Sequence, residues 1–277
     1  MGLKLKPLVA FQGERGAYSE EAAIKYFGSG VNVVACKTMA EVFAKVENNE
    51  VDYGIVPVEN SIEGSVNETY DLLVDTKLKI SGELNLRIIH CLIAHPNVDI
   101  QDIKVIYSHP QALAQCKKFL NGLNCEVISA YDTAGSVKMI KEKGLIDAAA
   151  IASERSSEIY GMKILKKGIE DSLDNYTRFL ILSHNDSPFT GNDKTSIIFS
   201  TKHVPGALYN ALREFAVRGI NLTMILSRPT KKTPWEYNFF VDFEGHRTEK
   251  RVEECLKELK NQTLFVKVLG SYPKAKP

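Results

Sequence analysis

A threonine, an arginine and an aromatic ring stand together in the stretch 175–179, Asn-Tyr-Thr-Arg-Phe. It follows an acidic, turn-forming run at 170–174 and opens the apolar run 179–182, which is typical of a buried strand. Thr177 offers a short hydrogen-bond donor and acceptor, and Arg178 offers a planar fork that fits a carboxylate. Because strand ends in α/β proteins commonly carry the site, the stretch predicts anion binding. The simpler alternative is a strand start beside a surface arginine.

A second polar group, at 59–66, follows the predicted strand 51–58 and precedes a predicted helix at 67–73. It contains two carboxylates, an amide, two hydroxyls and a glycine. Serine and asparagine side chains, together with N–H groups at a helix start, could hold a polar organic anion. A solvated capping loop is the alternative.

Three further polar positions lie where predicted strands pass into helices. The glycine-containing loop 12–19 separates a strand at 8–11 from a helix at 20–27, which we expect Ser19 to cap. Such a loop lets backbone N–H groups approach an anion, although it could be a tight turn without a ligand. His109 and Thr133 stand at two other junctions, where a cap or a surface polar group is the alternative.

The elements predict two α/β lobes with a cleft between them. The order β-α-β-α-β of the first part indicates a parallel sheet with helices on its faces. A second α/β set has strands at 105–107, 126–128 and 147–152. The apolar stretch 79–95 and the strand at 179 would cross between the lobes.

A separate carboxyl-terminal unit is predicted beyond a linker rich in Asn, Asp, Ser, Pro and Gly. Its order is β-α-β-β-α-β, a ferredoxin-like sandwich whose edge strands favour pairing with a second copy. The predicted boundaries are 7–184 for the first domain, 185–194 for the linker and 195–272 for the last unit. Within the first domain, lobe 1 is about 7–83 and 170–184, and lobe 2 is about 84–169.

Composition limits the partners. The 277 residues carry a formal charge of +1, from 35 basic and 34 acidic residues, so neither nucleic acid nor a membrane is expected. Charges or glycines break the apolar runs well before the ~18 residues of a bilayer span. The start of the chain lacks the apolar core of a signal peptide. Five scattered cysteines, without metal-ligand spacing, indicate free thiols in a reducing cytoplasm and no metal site.

With these segments in view, the chain from 9 to 272 resembles the monofunctional, two-part prephenate dehydratases. The loop 13–19 is similar to the family's glycine loop, with Glu14 in place of its usual proline. The stretches 57–66 and 175–179 match its Asn-Ser-x-x-Gly and Thr-Arg-Phe signatures. The segments 108–113 and 132–134 match two more. The last unit resembles an ACT domain through 205–208 and 221–229, with Leu226 where the family usually has a glutamate.

The resemblance implies a fold and an activity. The fold is a two-lobed, periplasmic-binding-protein-like (type II) α/β domain followed by a ferredoxin-like ACT domain. The activity is the decarboxylating dehydration of prephenate to phenylpyruvate, without cofactor or metal, under feedback control by L-phenylalanine in a homodimer or homotetramer. The alternatives are an arogenate dehydratase and a non-catalytic amino-acid or carboxylate-binding sensor.

The resemblance also implies roles for individual residues. Thr177 is expected to give a hydrogen bond to the departing hydroxyl, Arg178 to bind a carboxylate, and Glu63, if buried and protonated, to be the alternative acid. The expected substrate-binding residues are Asn60, Ser61, Gly64, Ser19, His109, Thr133 and Phe179. The expected phenylalanine-binding residues are Pro205, Gly206, Ala207, Leu208, Asn221, Leu222, Thr223, Ser227 and Arg228.

Overall fold

The computed structural model describes residues 6–231 and 233–275. The strands are β1 (Leu8–Gln12), β2 (Asn32–Cys36), β3 (Tyr53–Asn60), β4 (Gly64–Ser65), β5 (Lys79–Arg87), β6 (Cys91–Ala94), β7 (Val105–Ser108), β8 (Glu126–Ser129), β9 (Ala148–Ala152), β10 (Lys163–Lys167), β11 (Tyr176–Ser183), β12 (Asp193–Ser200), β13 (Leu222–Pro229), β14 (Tyr237–Glu244) and β15 (Phe265–Pro273). The helices are α1 (Tyr18–Phe27), α2 (Met39–Glu47), α3 (Asn67–Asp75), α4 (Pro110–Gln115), α5 (Lys117–Leu120), α6 (Thr133–Lys143), α7 (Glu154–Tyr160), α8 (Ala207–Ala216) and α9 (Lys250–Gln262).

The first sheet has the strand order β2-β1-β3-β11-β5, with β4 paired to β3. β1 runs parallel to both β2 and β3, as the alternation of strands and helices predicted. Its central residues Val9, Ala10 and Phe11 are fully buried. A run that is apolar on both faces is typical of a parallel strand covered by helices on both sides.

The second sheet has the order β10-β6-β9-β7-β8. Its central strand β9 is a run of small residues, all buried. Ala149 and Ile151 pack into one apolar cluster, and Ala148 and Ala150 pack into another on the opposite face with Ile140 of α6. Small side chains therefore let helices approach both faces of this strand closely.

The third sheet has the order β13-β14-β12-β15, and its elements follow one another as β12-α8-β13-β14-α9-β15. This confirms the predicted ferredoxin-like unit. Phe199, Val241 and Phe243 face α8 and α9 and pack against Phe215 and Leu259.

The chain divides into two compact units by its internal contacts. Of the described residues, one unit contains 6–66 and 85–179, and the other contains 67–84 and those from Leu180 onward. Helix α3 and the beginning of β5 therefore pack with the third sheet, which the sequence did not indicate. The ring of Tyr70 on α3 lies 4.9 Å from the ring of Phe240 on β14.

Several element ends differ from the predictions. Ser19 lies inside α1, because the helix starts two residues earlier: the carbonyl of Ala17, its N-cap, accepts the N–H of Glu21 at 3.1 Å. Helix α9 has no side-chain cap: Thr248, which precedes its N-cap Glu249, has its hydroxyl 2.8 Å from Nδ1 of His246. The segment 110–120 is not one helix but two, α4 and α5, which meet at position 116, and the stretch 79–95 forms two strands.

Strand β10 was missed because its Lys-Ile-Leu-Lys-Lys sequence lies at the sheet edge, where no continuous apolar run is needed. The described residues contain no helix able to cross a membrane. They also contain no cluster of three or more His, Cys, Asp or Glu suited to a metal ion.

Candidate functional site

Asn60 and Thr177 meet where β3 ends and β11 begins. The side chain of Asn60 is buried, and its Oδ1 accepts hydrogen bonds from the N–H groups of Ile62 and Glu63, both at 3.0 Å. These two backbone donors fix the orientation of the amide, because its oxygen must face them. Its Nδ2 therefore donates to Oγ1 of Thr177 at 3.0 Å and to Oδ1 of Asn175 at 2.8 Å.

The hydroxyl of Thr177 is left with its proton free for another acceptor. The amide nitrogen of Asn60 has no lone pair to accept that proton, so Oγ1 is the acceptor in their contact. The side chain is partly buried at the start of β11. Thr177 can therefore donate a hydrogen bond to a bound molecule while Asn60 holds its oxygen.

Ser61 fastens the loop after β3 to the segment that leads into β11. Its N–H donates to the carbonyl of Tyr176 at 2.8 Å, and its hydroxyl donates to the carbonyl of Asp174 at 2.7 Å. The N–H of Tyr176 donates back to that hydroxyl at 2.9 Å. The chain then turns at Gly64, with φ +81°, into β4. Ser61 thus acts on the loop's shape, and its contact with substrate stays a prediction.

Arg178 and Thr177 point to opposite faces of β11, since successive side chains alternate along a strand. Nε of Arg178 lies 3.4 Å from Oε2 of Glu59, and the arginine side chain is only 11% exposed. Glu59 and Asn60 alternate in the same way on β3. The carboxylate role of Arg178 stays a prediction, and it has Glu59 as a competitor.

Glu63 does not meet the condition set for an acid. That role required a buried, protonated carboxyl group, whereas the side chain is exposed at the loop tip. Its contribution to the site comes instead from its backbone N–H, which orients Asn60.

A chain of buried polar side chains continues inward from Asn175. Its Nδ2 donates to Oε1 of Gln115 at 2.9 Å, and Nε2 of His90 lies 3.0 Å from the same oxygen. Nδ1 of His90 lies 2.7 Å from the hydroxyl of Tyr18. The side-chain nitrogen of Gln115 is buried and has no partner among the described residues, so it offers a donor to a ligand.

The sequence reasoning missed Gln115, His90 and Tyr18. A signal existed: Gln115 and His90 are polar residues among apolar neighbours, and both are buried. Burial lowers the pKa of His90, although the Gln115 hydrogen bond and the charge of Glu170 act in the opposite direction. Burial also raises the pKa of Tyr18 well above its usual value.

The glycine loop is fixed by its own neighbours. The carbonyl of Gly16 accepts hydrogen bonds from the hydroxyls of Ser153 and Ser156 at the start of α7. Its N–H donates to the fully buried Glu20, which also pairs with Arg155 at 3.3 Å. The N–H of Gly16 is therefore occupied within the protein rather than open to an anion.

The same loop borders a cavity of about 410 Å³. Its walls include Gly13, Glu14, Lys37 and Tyr131, together with the start of α6. The hydroxyl of Tyr131 donates to the carbonyl of Lys37, and Nζ of Lys138 pairs with Glu14. This cavity is lined neither by Asn60 nor by Thr177.

The remaining residues predicted to bind substrate either lie at helix starts or are buried. His109 caps α4 by accepting from the N–H of Gln111, and Thr133 is the first residue of α6, which Asp132 caps. Ser19 and Phe179 are buried. Their contact with substrate stays a prediction.

The predicted effector residues lie at two ends of the carboxyl-terminal unit. Gly206 is the N-cap of α8, with φ +81°. Asn221 follows the far end of that helix, which has 10 residues and is therefore ~15 Å long. Ser227 and Arg228 are at the end of the edge strand β13. A single copy cannot bring Gly206 and Asn221 to one small ligand.

Arg228 is paired with Asp71 of α3. Its Nε and Nη2 lie 3.3 Å and 3.2 Å from Oδ1 of Asp71, and Lys231 reaches Oδ2 at 2.8 Å. Partial burial acts to raise the pKa of Asp71, but the hydrogen bonds from Lys231 and Arg228 outweigh it and hold the pKa below its usual value. Nζ of Lys267 donates to carbonyls at the end of α3.

Two family models match the chain. The model described as prephenate dehydratase matches residues 9–187, and the ACT domain model matches residues 195–261. The match covers more than half of the chain. The chain therefore belongs to the prephenate dehydratase family and carries an ACT domain.

Similar proteins agree in sequence and structure. The bifunctional chorismate mutase/prephenate dehydratase of Aquifex aeolicus is 46% identical over 99% of this chain and 76% of its own length. Arogenate dehydratase/prephenate dehydratase 2 of Arabidopsis thaliana is 44% identical over 96% of this chain and 72% of its length.

Two solved structures share the whole fold. The prephenate dehydratase of Arthrobacter aurescens in complex with L-Phe has a TM-score of 0.89 and 32% identity, over 96% of this chain and 90% of that one. GqqA, described as a novel type of quorum quenching acylase, has a TM-score of 0.90 and 33% identity, over 98% of both chains. These matches confirm the predicted fold class.

Proposed function

We propose that this protein converts prephenate to phenylpyruvate, with Thr177 as hydrogen-bond donor to the leaving hydroxyl. The observation that carries the proposal is the contact of Asn60 with Oγ1 of Thr177, which leaves the threonine proton for the substrate. Membership of the prephenate dehydratase family supplies the reaction.

The reaction suits such a site. Loss of the ring carboxylate as carbon dioxide pushes electrons through the ring toward the departing hydroxyl, and the ring becomes aromatic. The protein must hold a dianion and assist the leaving oxygen, for which a positioned neutral donor is enough. A threonine hydroxyl is a poor acid, so Thr177 donates a hydrogen bond and positions the group rather than releasing its proton fully.

The other roles follow from the arrangement around Thr177. Asn60 holds Thr177 and shapes the loop at 61–64, and the buried amide nitrogen of Gln115 is a further donor for the substrate. Arg178 binds a carboxylate of the substrate in this proposal, which requires the substrate to displace Glu59 from the guanidinium.

Arogenate is the second candidate substrate. Its ammonium replaces the keto group of prephenate, and relatives such as the 44% identical Arabidopsis protein are named for both activities. The chemistry at Thr177 would be the same for both substrates.

The test supplies each substrate to the pure full-length protein, without added cofactor. Phenylpyruvate from prephenate supports the proposal, and phenylalanine from arogenate supports the second candidate. A chelator should leave the rate unchanged. Failure to turn over either substrate, with the protein folded, would overturn both.

We further propose control by L-phenylalanine at a site shared by two ACT domains. The ~15 Å between the ends of α8 supports a shared site, because one copy alone cannot join Gly206 to Asn221. We expect a homodimer or homotetramer, located in the cytoplasm, since the five cysteines are free thiols.

A further inference from the structure

We infer that His90 is a positioning residue for Thr177 and acts as a neutral imidazole with its proton on Nε2. The expected effect of His90 on the reaction rate rests on the proposed function, whereas the position of its proton does not. Among the described residues, His90 has no hydrogen bond to Thr177 or to the loop at 60–64. It acts through Gln115, Asn175 and Asn60, each hydrogen-bonded to the next.

The donor and acceptor in each of these linked hydrogen bonds are set at Asn60, the end of the series next to the loop. The N–H groups of Ile62 and Glu63 force Oδ1 of Asn60 toward them, so Nδ2 of Asn60 must be the donor to Asn175. Oδ1 of Asn175 then faces Asn60, and its Nδ2 faces Gln115. Backbone N–H groups cannot reverse their role, which removes the usual ambiguity of side-chain amides.

The same reasoning continues to the imidazole. Oε1 of Gln115 accepts from Asn175, so it is an oxygen that faces Nε2 of His90 at 3.0 Å. Two acceptors would repel each other there, and Nε2 must carry a proton. Nδ1 then accepts from the hydroxyl of Tyr18, at 2.7 Å. That hydroxyl has one proton, and the carbonyl of Ile89 competes for it at 3.0 Å; burial, which lowers the pKa of His90, favours the neutral ring in which the proton goes to Nδ1.

These linked hydrogen bonds matter because the side chains that form them are buried. His90 is 2% exposed, Gln115 8%, Asn175 0% and Asn60 6%, so water cannot replace a lost partner. If the donor at His90 is removed, Gln115 loses one of the two bonds that hold its oxygen in place. Its amide is then free to rotate, and the bond to Asn175 that holds Asn60 against Thr177 weakens.

The first measurement is the imidazole nitrogen spectrum of the full-length protein labelled with ¹⁵N-histidine. His90, assigned by its loss in His90→Gln, should show a protonated Nε2 and an unprotonated Nδ1 at neutral pH. His246 is an internal standard, because the N–H of Thr248 donates to its Nδ1. An Nδ1–H tautomer or an imidazolium at His90 would overturn the inference. No substrate is needed, so this result is separate from the proposed function.

The second measurement is phenylpyruvate formation by variants. His90→Leu should lower kcat at least ~10-fold, and by a larger factor than it raises KM, because the donor at Thr177 and the amide of Gln115 both lose their fixed orientation. His90→Gln should recover part of that loss, since its amide N–H can replace Nε2–H. His95→Leu is the matched control and should match the wild type. Equal kcat for His90→Leu and the wild type would overturn the positioning role. A wild type inactive on prephenate would instead remove the proposed function.

Discussion

At the scale of single residues, the site depends on which partner supplies the hydrogen. Thr177 could have been donor or acceptor, and Asn60 decides between them because its nitrogen can only donate. The orientation of the Asn60 amide is fixed in turn by two backbone N–H groups in the loop that follows it. The chemistry of Thr177 is thus set by the shape of a loop more than a hundred positions earlier in the chain.

Replacing Thr177 tests this donor directly. Thr177→Val is nearly isosteric and removes the hydroxyl, so kcat for phenylpyruvate formation should fall by roughly 10²-fold or more, with a smaller change in KM. Thr177→Ser keeps the hydroxyl and should retain much more of the rate. If Thr177→Val kept wild-type turnover while Glu63→Gln abolished it, the exposed carboxylate would have to take the role assigned to the threonine.

The pH dependence of stability tests the burial of His90. Its pKa in the folded protein lies below the ordinary 6.5, mainly because burial disfavours the charged ring. Below about pH 6.5 the unfolded chain therefore binds a proton that the folded chain refuses, and the free energy of unfolding falls as the pH falls through that window. In the folded protein the hydroxyl of Tyr18 contacts the ring, and the carboxylate of Glu170 accepts the backbone N–H of the same histidine.

Urea unfolding of wild type and His90→Gln at about pH 7.5 and about pH 5.5 measures this effect. The variant cannot take up the proton, so it should lose less stability on acidification than the wild type. Carboxylates and other histidines titrate equally in both proteins and cancel in the difference. An equal or greater loss in the variant would contradict the burial of a neutral ring.

At the scale of elements, one glycine fastens α7 to the glycine loop. Gly16 has φ +91°, and a Cβ at this position would lie 2.8 Å from Cα of Ser156. Gly28 has a similar φ of +94°, and a Cβ there would meet nothing within 4 Å. The two positions therefore separate backbone strain from close packing.

Alanine substitution at both glycines should give unequal losses of stability. Gly28→Ala has only its backbone conformation to overcome, on the order of 1–3 kcal/mol, because φ +94° with ψ 161° lies in a region that is essentially restricted to glycine. Gly16→Ala adds a clash with backbone, so its loss should be larger by at least about 1 kcal/mol. Chemical unfolding of both variants gives the comparison, and equal losses would show that α7 can move away from the loop at little cost.

Local patterns predicted most elements but not their partners. The N-caps of α2 and α7 at Thr38 and Ser153 could be predicted because the capping residue and its helix are adjacent in sequence. For α6 the sequence left Asp132 and Thr133 as alternatives, and the structure shows Asp132. Ser61, Asn60 and Thr177 were found as signatures, although their mutual contacts were not. The links through Gln115 and His90 span 25 to 60 positions, and no local periodicity encodes them.

At the scale of the whole molecule, helix α3 follows the loop at 60–66 directly in sequence and packs against the carboxyl-terminal unit. The helix starts at Asn67, directly after Val66, and is held by Arg228, a residue of the predicted effector motif. A change at that motif would reach Asp71 first. If phenylalanine binds at that motif as proposed, its effect has a short covalent route to the loop at 60–66.

Asp71→Asn tests that route. It removes the charge that pairs with Arg228 and Lys231 while keeping the side-chain size. The rate without phenylalanine should change little, whereas the phenylalanine concentration for half inhibition should shift several-fold, within the range usual for allosteric coupling. Glu68→Gln, an exposed position on the same helix, is the control and should leave inhibition unchanged. Equal inhibition curves for Asp71→Asn and the wild type would exclude the pair from the coupling.

The last prediction concerns assembly and ligand binding together. If a phenylalanine site needs the Gly206 end of one copy and the Asn221 end of another, ligand and association must promote each other. Sedimentation at several protein concentrations should show larger assemblies with phenylalanine than without it. Ile225 is 48% exposed on the edge strand β13, so Ile225→Glu should weaken both association and phenylalanine binding. Val127, 43% exposed on the edge strand β8 of another sheet, provides the control Val127→Glu, which should weaken neither. Undiminished phenylalanine binding by a monomeric Ile225→Glu protein would place the whole effector site within one copy.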